Sequence, residues 1–171
     1  MAKTIRKFIG LAATIVLYYI IHEGAHLLVS LFMGTFQKVL IARWGLGVQI
    51  VVDAAVMSNL QLFIFCIAGA VATLTAGYIL VWKRKSIQQS ASKYLRTIAY
   101  YTTLVFLCLD PLYLSVLYRF VGGGDMNGIL LLGIPELLTS IFFFIILALN
   151  IFIFFRVVLP SYKQSFLSDN K

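Results

Sequence analysis

The sequence is poor in the residues that soluble domains use to cover their surfaces. Only 12% of its 171 residues are charged and six of them are acidic, whereas 61% are hydrophobic. The mean hydropathy is +0.97. A chain with so little polar surface does not fold as a soluble globule, and we find neither an internal repeat nor a soluble domain in it. The composition therefore predicts a single integral membrane domain.

Cysteine is equally scarce, with Cys66 and Cys108 as the only two in the chain. Each lies within a long apolar run, and neither has a second cysteine at Cys-x-x-Cys spacing. This pattern argues against a thiolate metal site or a disulfide framework. It favours two small, buried, apolar side chains.

Long apolar runs are abundant instead. Four of them, at about 8–33, 59–82, 98–118 and 129–155, reach the 18 or more residues that indicate a transmembrane helix. The first is too long for a secretory signal, so we do not expect a cleaved signal peptide. The sequence predicts an all-α polytopic membrane protein with one domain over residues 1–160. A polar tail, 161–171, is expected to be disordered. Residues 83–97 are expected to form a polar cytoplasmic loop that could include an interfacial helical turn.

The net charge of +8 is unevenly distributed along the chain. Eleven of the fourteen basic residues precede the first apolar run, separate the second from the third, or follow the fourth: Lys3, Arg6, Lys7, Lys83, Arg84, Lys85, Lys93, Arg96, Arg156, Lys163 and Lys171. Only Lys38, Arg43 and Arg119 fall on the other side. The positive-inside rule then places both termini in the cytoplasm. We interpret the basic clusters as topology signals and contacts with lipid head groups, not as a nucleic-acid interface.

Between the first two helices, residues 36–53 change character. Two β-branched runs flank a turn that contains Gly45 and Gly47, which predicts a short β-hairpin. Two strands alone are marginally stable, so the hairpin should lie against the helices or accept a third strand. That strand could be an extended substrate. The alternative is a hairpin that only covers the outer face of the membrane helices.

Two features of the later helices stand out. Small residues in the second run, including Gly69 and Gly77, predict close packing between helices. In the third run Asp110 is followed by Pro111, which removes a backbone hydrogen bond and should kink the helix there. An aspartate at that depth needs a metal, a proton or hydrogen-bond donors as its partner.

The chemistry of the chain is concentrated in His22-Glu23-Gly24-Ala25-His26, within the first apolar run. Residues four apart share one face of a helix, so His22 and His26 can bind one ion. Glu23 then lies beside that ion and can deprotonate a water, as in the H-E-x-x-H motif. The alternative is that the histidines only hydrogen-bond neighbouring helices. Gly24 and Ala25 leave room for a helix or a substrate backbone.

A catalytic zinc site usually has three protein ligands and one open position. The candidates for the third ligand are Asp110 and Asp125, followed by Glu136, which we interpret chiefly as a water-facing group. Asp53 closes the hairpin and Asp169 lies in the tail. Asp125 sits in the glycine-rich segment 122–128, where it either caps the fourth helix with help from Asn127 or is carried inward to the metal.

Taken together, these features resemble the site-2 proteases, which are intramembrane zinc metalloproteases. The resemblance implies one zinc ion, Glu23 as the catalytic base and Asp125 as the third ligand, with Gly124 and Asn127 supporting the loop. Asp110-Pro111 looks like the Asn-Pro element of that family. The sequence departs from the family in having Asp for that Asn, two residues between Asp125 and Gly128, and Ala68-Gly69-Ala70 for Ala-Gly-Pro.

The expected function is an intramembrane zinc endopeptidase that cleaves a membrane-embedded or membrane-proximal protein segment. Because of the departures from the family pattern, an inactive zinc-binding pseudoprotease that acts as a membrane interaction partner is the main alternative. A small transporter of metal or protons is a weaker one, since four helices without an inverted repeat leave little room for alternating access. The substrate and the oligomeric state are not specified by the sequence.

Overall fold

The computed structural model describes residues 2–41, 47–122 and 124–168. Its helices and strands are α1 (Ala2–Phe32), β1 (Phe36–Ile41), β2 (Val48–Val52), α2 (Asn59–Gln88), α3 (Lys93–Leu112), α4 (Tyr118–Val121), α5 (Gly124–Leu130), α6 (Glu136–Ile153) and α7 (Leu159–Ser168). Four helical stretches are long and apolar enough to cross a membrane: Thr4–Phe32, Asn59–Gln88, Lys93–Val121 and Glu136–Leu167. The expected all-α polytopic fold with a short hairpin after its first helix is therefore confirmed.

The ends of the first three helices extend further than we expected. α1 begins at Ala2, α2 runs to Gln88 and α3 begins at Lys93, so the predicted polar loop 83–97 is wrong. Residues 83–97 contain no glycine or proline that would end a helix. The connection is only four residues long, and the Ser92 side chain caps α3 by accepting a hydrogen bond from the Leu95 amide at 3.2 Å.

The prediction of a disordered tail is also wrong for residues 161–168. They belong to α7, which continues the helix of α6 through a π-helical segment, Phe154–Val158. Tyr162 is fully buried and packs with Phe154 and Val158 in a small core at this end of the molecule. The four-residue spacing of these side chains gives the tail an apolar face, which its overall polarity conceals. Residues 169–171 lie outside the described part of the chain.

α1 ends in a glycine-dependent turn that leads directly into the hairpin. Gly34 has a φ of +69°, and the amides of Gly34 and Thr35 donate to the carbonyls of Leu31 and Ser30 at 3.1 and 2.9 Å. This is a Schellman arrangement, which favours glycine at the position of positive φ. β1 and β2 then pair antiparallel, with Phe36 opposite Val52 and Ile41 opposite Val48. The predicted turn residue Gly45 lies outside the described residues.

Pro111 is accommodated by a side chain from another helix. A proline at this position has no amide hydrogen to donate to the Leu107 carbonyl, four residues earlier. The Nδ2 of Asn150, a fully buried residue of α6, donates to that carbonyl at 2.6 Å, and Tyr78 of α2 donates to the Asn150 Oδ1 at 2.6 Å. The chain then continues from α3 into a π-helical segment, Tyr113–Leu117, that begins two residues after the proline.

The predicted fourth helix, 129–155, is two separate helices. α5 ends at Leu130, and a turn with Gly133 at a φ of +77° and Pro135 precedes α6. Glycine at positive φ and proline before the first helical residue both favour this interruption. Met126 and Ile129 of α5 are buried in the main core beside Phe65. The break thus leaves a short helix packed on α2, at the level of the histidines.

Candidate metal centre

His22 and His26 lie on the buried face of α1, one turn apart. Their side chains are almost fully enclosed, at 7% and 3% exposure, although the helix around them is apolar. The two Nε2 atoms face each other at 3.2 Å. The spacing of four residues therefore does what the sequence predicts: it directs one nitrogen from each ring to the same point.

Asp125 of α5 completes a triangle with these two nitrogens. Its Oδ2 lies 3.4 Å from the His22 Nε2, and its Oδ1 lies 3.7 Å from the His26 Nε2. A tetrahedral zinc ion with bonds of about 2.0–2.1 Å holds its ligand atoms about 3.3 Å apart. The two Nε2 atoms are close to that separation and the Asp125 carboxylate faces both of them, so the group His22, His26 and Asp125 could hold a metal ion.

Asp125 reaches the histidines because the chain turns sharply before α5. Gly122 has a φ of +99°, a conformation that side chains strongly disfavour. Its carbonyl accepts a hydrogen bond from the Tyr113 hydroxyl at 2.8 Å. Asp125 then lies in the first turn of α5 and does not cap the helix that spans the membrane. Of the two roles that the sequence left open, the structure favours the inward one.

The neighbouring histidines keep the Asp125 carboxyl in its charged form. Burial opposes ionisation of this side chain, but the attraction of the nearby His22 and His26 rings outweighs burial and lowers the pKa from 3.8 to about 2. A carboxylate that is ionised at neutral pH is the form that binds a metal ion.

Asp110, the other candidate for the third ligand, occupies the opposite edge of the His22 ring. Its Oδ1 lies 3.3 Å from the His22 Nδ1 and accepts a hydrogen bond from the Tyr18 hydroxyl. Its Oδ2 accepts one from Thr73. Both carboxylate oxygens are thus engaged away from the point where the two Nε2 atoms meet. Asp110 is placed to orient His22, as carboxylates commonly do for histidines that bind metals.

His26 is oriented in the same way by the backbone of α2. Its Nδ1 lies 2.7 Å from the Phe65 carbonyl oxygen, which can only accept a hydrogen bond. The proton of His26 is therefore on Nδ1, and the carboxylate of Asp110 favours the same tautomer for His22. With that proton kept on Nδ1, each Nε2 atom can give up the proton that it shares with Asp125 and offer a lone pair to a metal ion, as a ligand must.

Gly69 is needed for His22 to fit. A Cβ at position 69 would lie 2.6 Å from the Nε2 and Cε1 atoms of the His22 ring. We predicted close packing at Gly69, and the structure shows that it packs against the imidazole itself. Gly77, by contrast, packs against Phe106 and Leu107 of α3.

Glu23 lies beside the proposed ligands in a cavity of about 170 Å³. His22, His26 and Asp125 line the same cavity, as do Gln49 and Ile50 of β2. Ile50 thus brings the backbone of β2 to the side of the cavity that Glu23 lines. At about 30 Å³ per water molecule, the cavity has room for a few waters or a peptide group next to Glu23.

The remaining predicted residues fall at different distances from the site. Gly124 lines the cavity, whereas Asn127 is exposed and does not line it. Glu136 is paired with Arg119 at 3.0 Å, and roughly half of its side chain is exposed, as expected for a water-facing group. Asp53 accepts a hydrogen bond from the Ala55 amide just after the hairpin. Nothing in the described chain lies within 4 Å of a Cβ built on Gly24.

Tyr18 and Thr73, both partners of Asp110, were missed by the sequence analysis. A signal for Tyr18 was nevertheless present, because polar residues recur every fourth position along the apolar helix α1: Thr14, Tyr18, His22, His26 and Ser30. Such a stripe marks the face that packs on polar partners. Thr73 had no comparable signal, since threonine is common in membrane helices.

Comparisons of the chain with protein-family models, with curated proteins and with solved structures find no match. The residues and geometry of the site itself are therefore what point to a function.

Proposed function

We propose that this protein is an intramembrane zinc metalloendopeptidase, with His22, His26 and Asp125 as the metal ligands and Glu23 as the catalytic base. The observation that carries the proposal is the convergence of three possible ligand groups, the His22 and His26 imidazoles and the Asp125 carboxylate, next to a second carboxylate that shares their cavity. The contacts of Asp125 with both Nε2 atoms and of Asp110 with the far side of one ring support a metal-binding role for the histidines.

Bound at this site, zinc would supply a Lewis acid that lowers the pKa of water and polarises a peptide carbonyl. Glu23 accepts a proton from water held in the cavity and delivers it to the leaving amine. General acid–base catalysis of this kind contributes about 10²–10⁴-fold to the rate.

The surroundings of the site indicate the form of the substrate. α1 is long and apolar enough to span a membrane, and the cavity lies within its length, so the substrate is a membrane-embedded or membrane-proximal protein segment. A peptide bond in a regular helix has its backbone groups engaged, so the segment must be locally extended before cleavage. Gln49 and Ile50 bring a β-strand to the cavity wall, which suits an extended segment.

The proposal is tested with the substitution Glu23→Gln, which keeps the shape of the side chain and removes its basicity. Membranes from cells that express the parent or the variant are compared by N-terminal labelling and mass spectrometry. We expect new N-termini within or beside transmembrane segments only in the parent, while the zinc content of the purified proteins stays equal. Glu136→Gln is the matched control, because Glu136 pairs with Arg119 outside the cavity, and it should behave like the parent.

The alternatives give other results. An inactive zinc-binding protein would produce the same N-termini in the parent and in Glu23→Gln. A transporter would move radioactive zinc into proteoliposomes, where a protease gives only background uptake. Either result would overturn the proposed activity.

A further inference from the structure

A second cavity, of about 400 Å³, lies at the end of the molecule where α1 and α3 begin and α7 ends. Its walls combine cationic and aromatic side chains: Arg6 and Lys7 of α1, Tyr100 and Tyr101 of α3, and Lys163 and Phe166 of α7. It is larger than the cavity at Glu23 and shares no residue with it. Arg6 and His22 are sixteen residues apart on one helix, which corresponds to about 24 Å along its axis.

The charge on this cavity is of one sign. Within the described part of the chain, three cationic side chains line it and no carboxylate does. The Arg6 guanidinium lies 5.5 Å from the centre of the Phe166 ring, close enough for a cation–π contact that positions it at the wall. Lys7 and Lys163 are exposed, so their ammonium groups are accessible to a bound anion. The cavity therefore attracts a negatively charged group.

An apolar slot of about 220 Å³ adjoins the cavity along α1. It is lined by Thr4, Phe8 and Leu11, and it shares Lys7 and Tyr101 with the larger cavity. Phe8 and Leu11 are 69% and 45% exposed. The slot thus runs from the cationic cavity towards the apolar middle of the helix. An anionic head followed by a hydrocarbon chain fits this sequence of surfaces, whereas a small anion alone would leave the slot unfilled.

We propose that the basic cavity and its apolar slot bind an anionic phospholipid. Lys7 and Lys163 contact the phosphate, the tyrosine and Phe166 rings pack against the glycerol region, and an acyl chain follows Phe8 and Leu11. The site lies at the end of the spanning helices, where lipid head groups are found. Gly10 supports this geometry, because a Cβ there would lie 2.8 Å from the Thr97 methyl group and push α1 from α3. The proposal does not depend on the peptidase activity.

The test uses the full chain purified in detergent and native mass spectrometry of bound lipid. Phosphatidylglycerol and phosphatidylcholine with identical acyl chains are titrated separately, and inorganic phosphate is added as a competitor. We expect phosphatidylglycerol to bind at least about tenfold more tightly than phosphatidylcholine, and millimolar phosphate not to displace it. The double substitution Lys7→Ala, Lys163→Ala should weaken phosphatidylglycerol binding about 30-fold, since each basic side chain near an anionic surface contributes about fivefold.

The matched control is Lys83→Ala, Lys85→Ala, which removes two exposed charges from the end of α2 without touching the cavity. This control should change the affinity for phosphatidylglycerol by less than about threefold, whereas the cavity variant should weaken it about 30-fold. Equal loss in both variants would mean a general charge effect and would overturn the proposal. Equal affinity for the two lipids, or displacement by inorganic phosphate, would overturn it as well.

Discussion

At the scale of single residues, the candidate metal site depends on which ring nitrogen of each histidine has a hydrogen-bond partner. Asp110 and the Phe65 carbonyl take the Nδ1 atoms at 3.3 and 2.7 Å, which leaves both Nε2 atoms facing Asp125. An aspartate within a membrane span is costly unless its oxygens are satisfied. Tyr18, Thr73 and His22 satisfy those of Asp110, so its cost is offset by the orientation that it imposes on His22.

Substitution of the two aspartates should separate their roles. We expect purified Asp125→Ala protein to lose stoichiometric zinc, because a ligand is removed. Asp110→Asn should bind zinc about 10- to 100-fold more weakly, as is typical when the hydrogen-bond partner of a metal-binding histidine is altered. The metal content is measured by mass spectrometry of the purified proteins after competition with a chelator. If Asp110→Asn lost the metal and Asp125→Ala kept it, the assignment would be reversed.

A second residue-scale prediction concerns the glycine that faces His22. Gly69→Ala should lower zinc affinity by about tenfold or more, because a Cβ at 2.6 Å displaces the imidazole from its orienting partners. Gly24→Ala is the matched control, since no described atom lies within 4 Å of a Cβ there. Zinc titrations of both proteins check the prediction, and equal affinities would show that the contact at Gly69 is unimportant.

At the scale of elements, α5 is the part of the site whose helical structure depends on contacts with other helices. A helix of seven residues is far too short to persist alone in water. Its position comes from the burial of Met126 and Ile129 and from the close approach of Gly128 to Cys66. Cys66 is therefore a packing residue, as expected for a cysteine without a partner at Cys-x-x-Cys spacing. Its contact with Gly128 determines how near Asp125 comes to the histidines.

The contact between α5 and α2 can be tested by adding a methyl group at Gly128 of α5 and then removing the side chain of Cys66 of α2. Gly128→Ala places a Cβ 2.8 Å from that of Cys66, so α5 must shift away from α2. We expect weaker zinc binding and a loss of about 1–3 kcal/mol in the free energy of unfolding, as is typical of overpacking. Combining it with Cys66→Gly should restore part of the zinc affinity. The prediction fails if Gly128→Ala binds zinc like the parent.

At the scale of the whole molecule, the candidate metal site and the cluster of basic residues lie towards opposite ends of the helices. The histidines lie in the second half of α1, beneath the hairpin, whereas the basic residues of α1, α3 and α7 gather at the opposite end. Since basic residues are retained on the cytoplasmic side, this end should face the cytoplasm and the hairpin the other side. The site then lies nearer the non-cytoplasmic face.

Reporter fusions test this orientation. Alkaline phosphatase, which is active only outside the cytoplasm, should be inactive when it is fused after residue 168 and active when it is inserted in the turn between β1 and β2. A green fluorescent protein fused at the same two positions should give the opposite pattern. Phosphatase activity at the C-terminal fusion would contradict the positive-inside prediction.

The sequence by itself determined the membrane fold, the hairpin and the two histidines with Glu23. These are properties of periodicity and composition within a few helical turns, where the local spacing of residues is sufficient. The same reasoning failed at 83–97, at the tail and at the break before α6, because helix ends depend on capping and packing as well as hydropathy.

Only the tertiary structure decided which edge of the His22 ring Asp110 and Asp125 each face. Both are acidic residues about ninety to one hundred positions after the histidines, and nothing in their local sequence states which ring edge each will face. The choice depends on the positive φ of Gly122, on the packing of Gly128 against Cys66 and on the hydrogen bonds of Asp110 to Tyr18 and Thr73. These are contacts between distant segments, so a pattern read along one helix does not contain them.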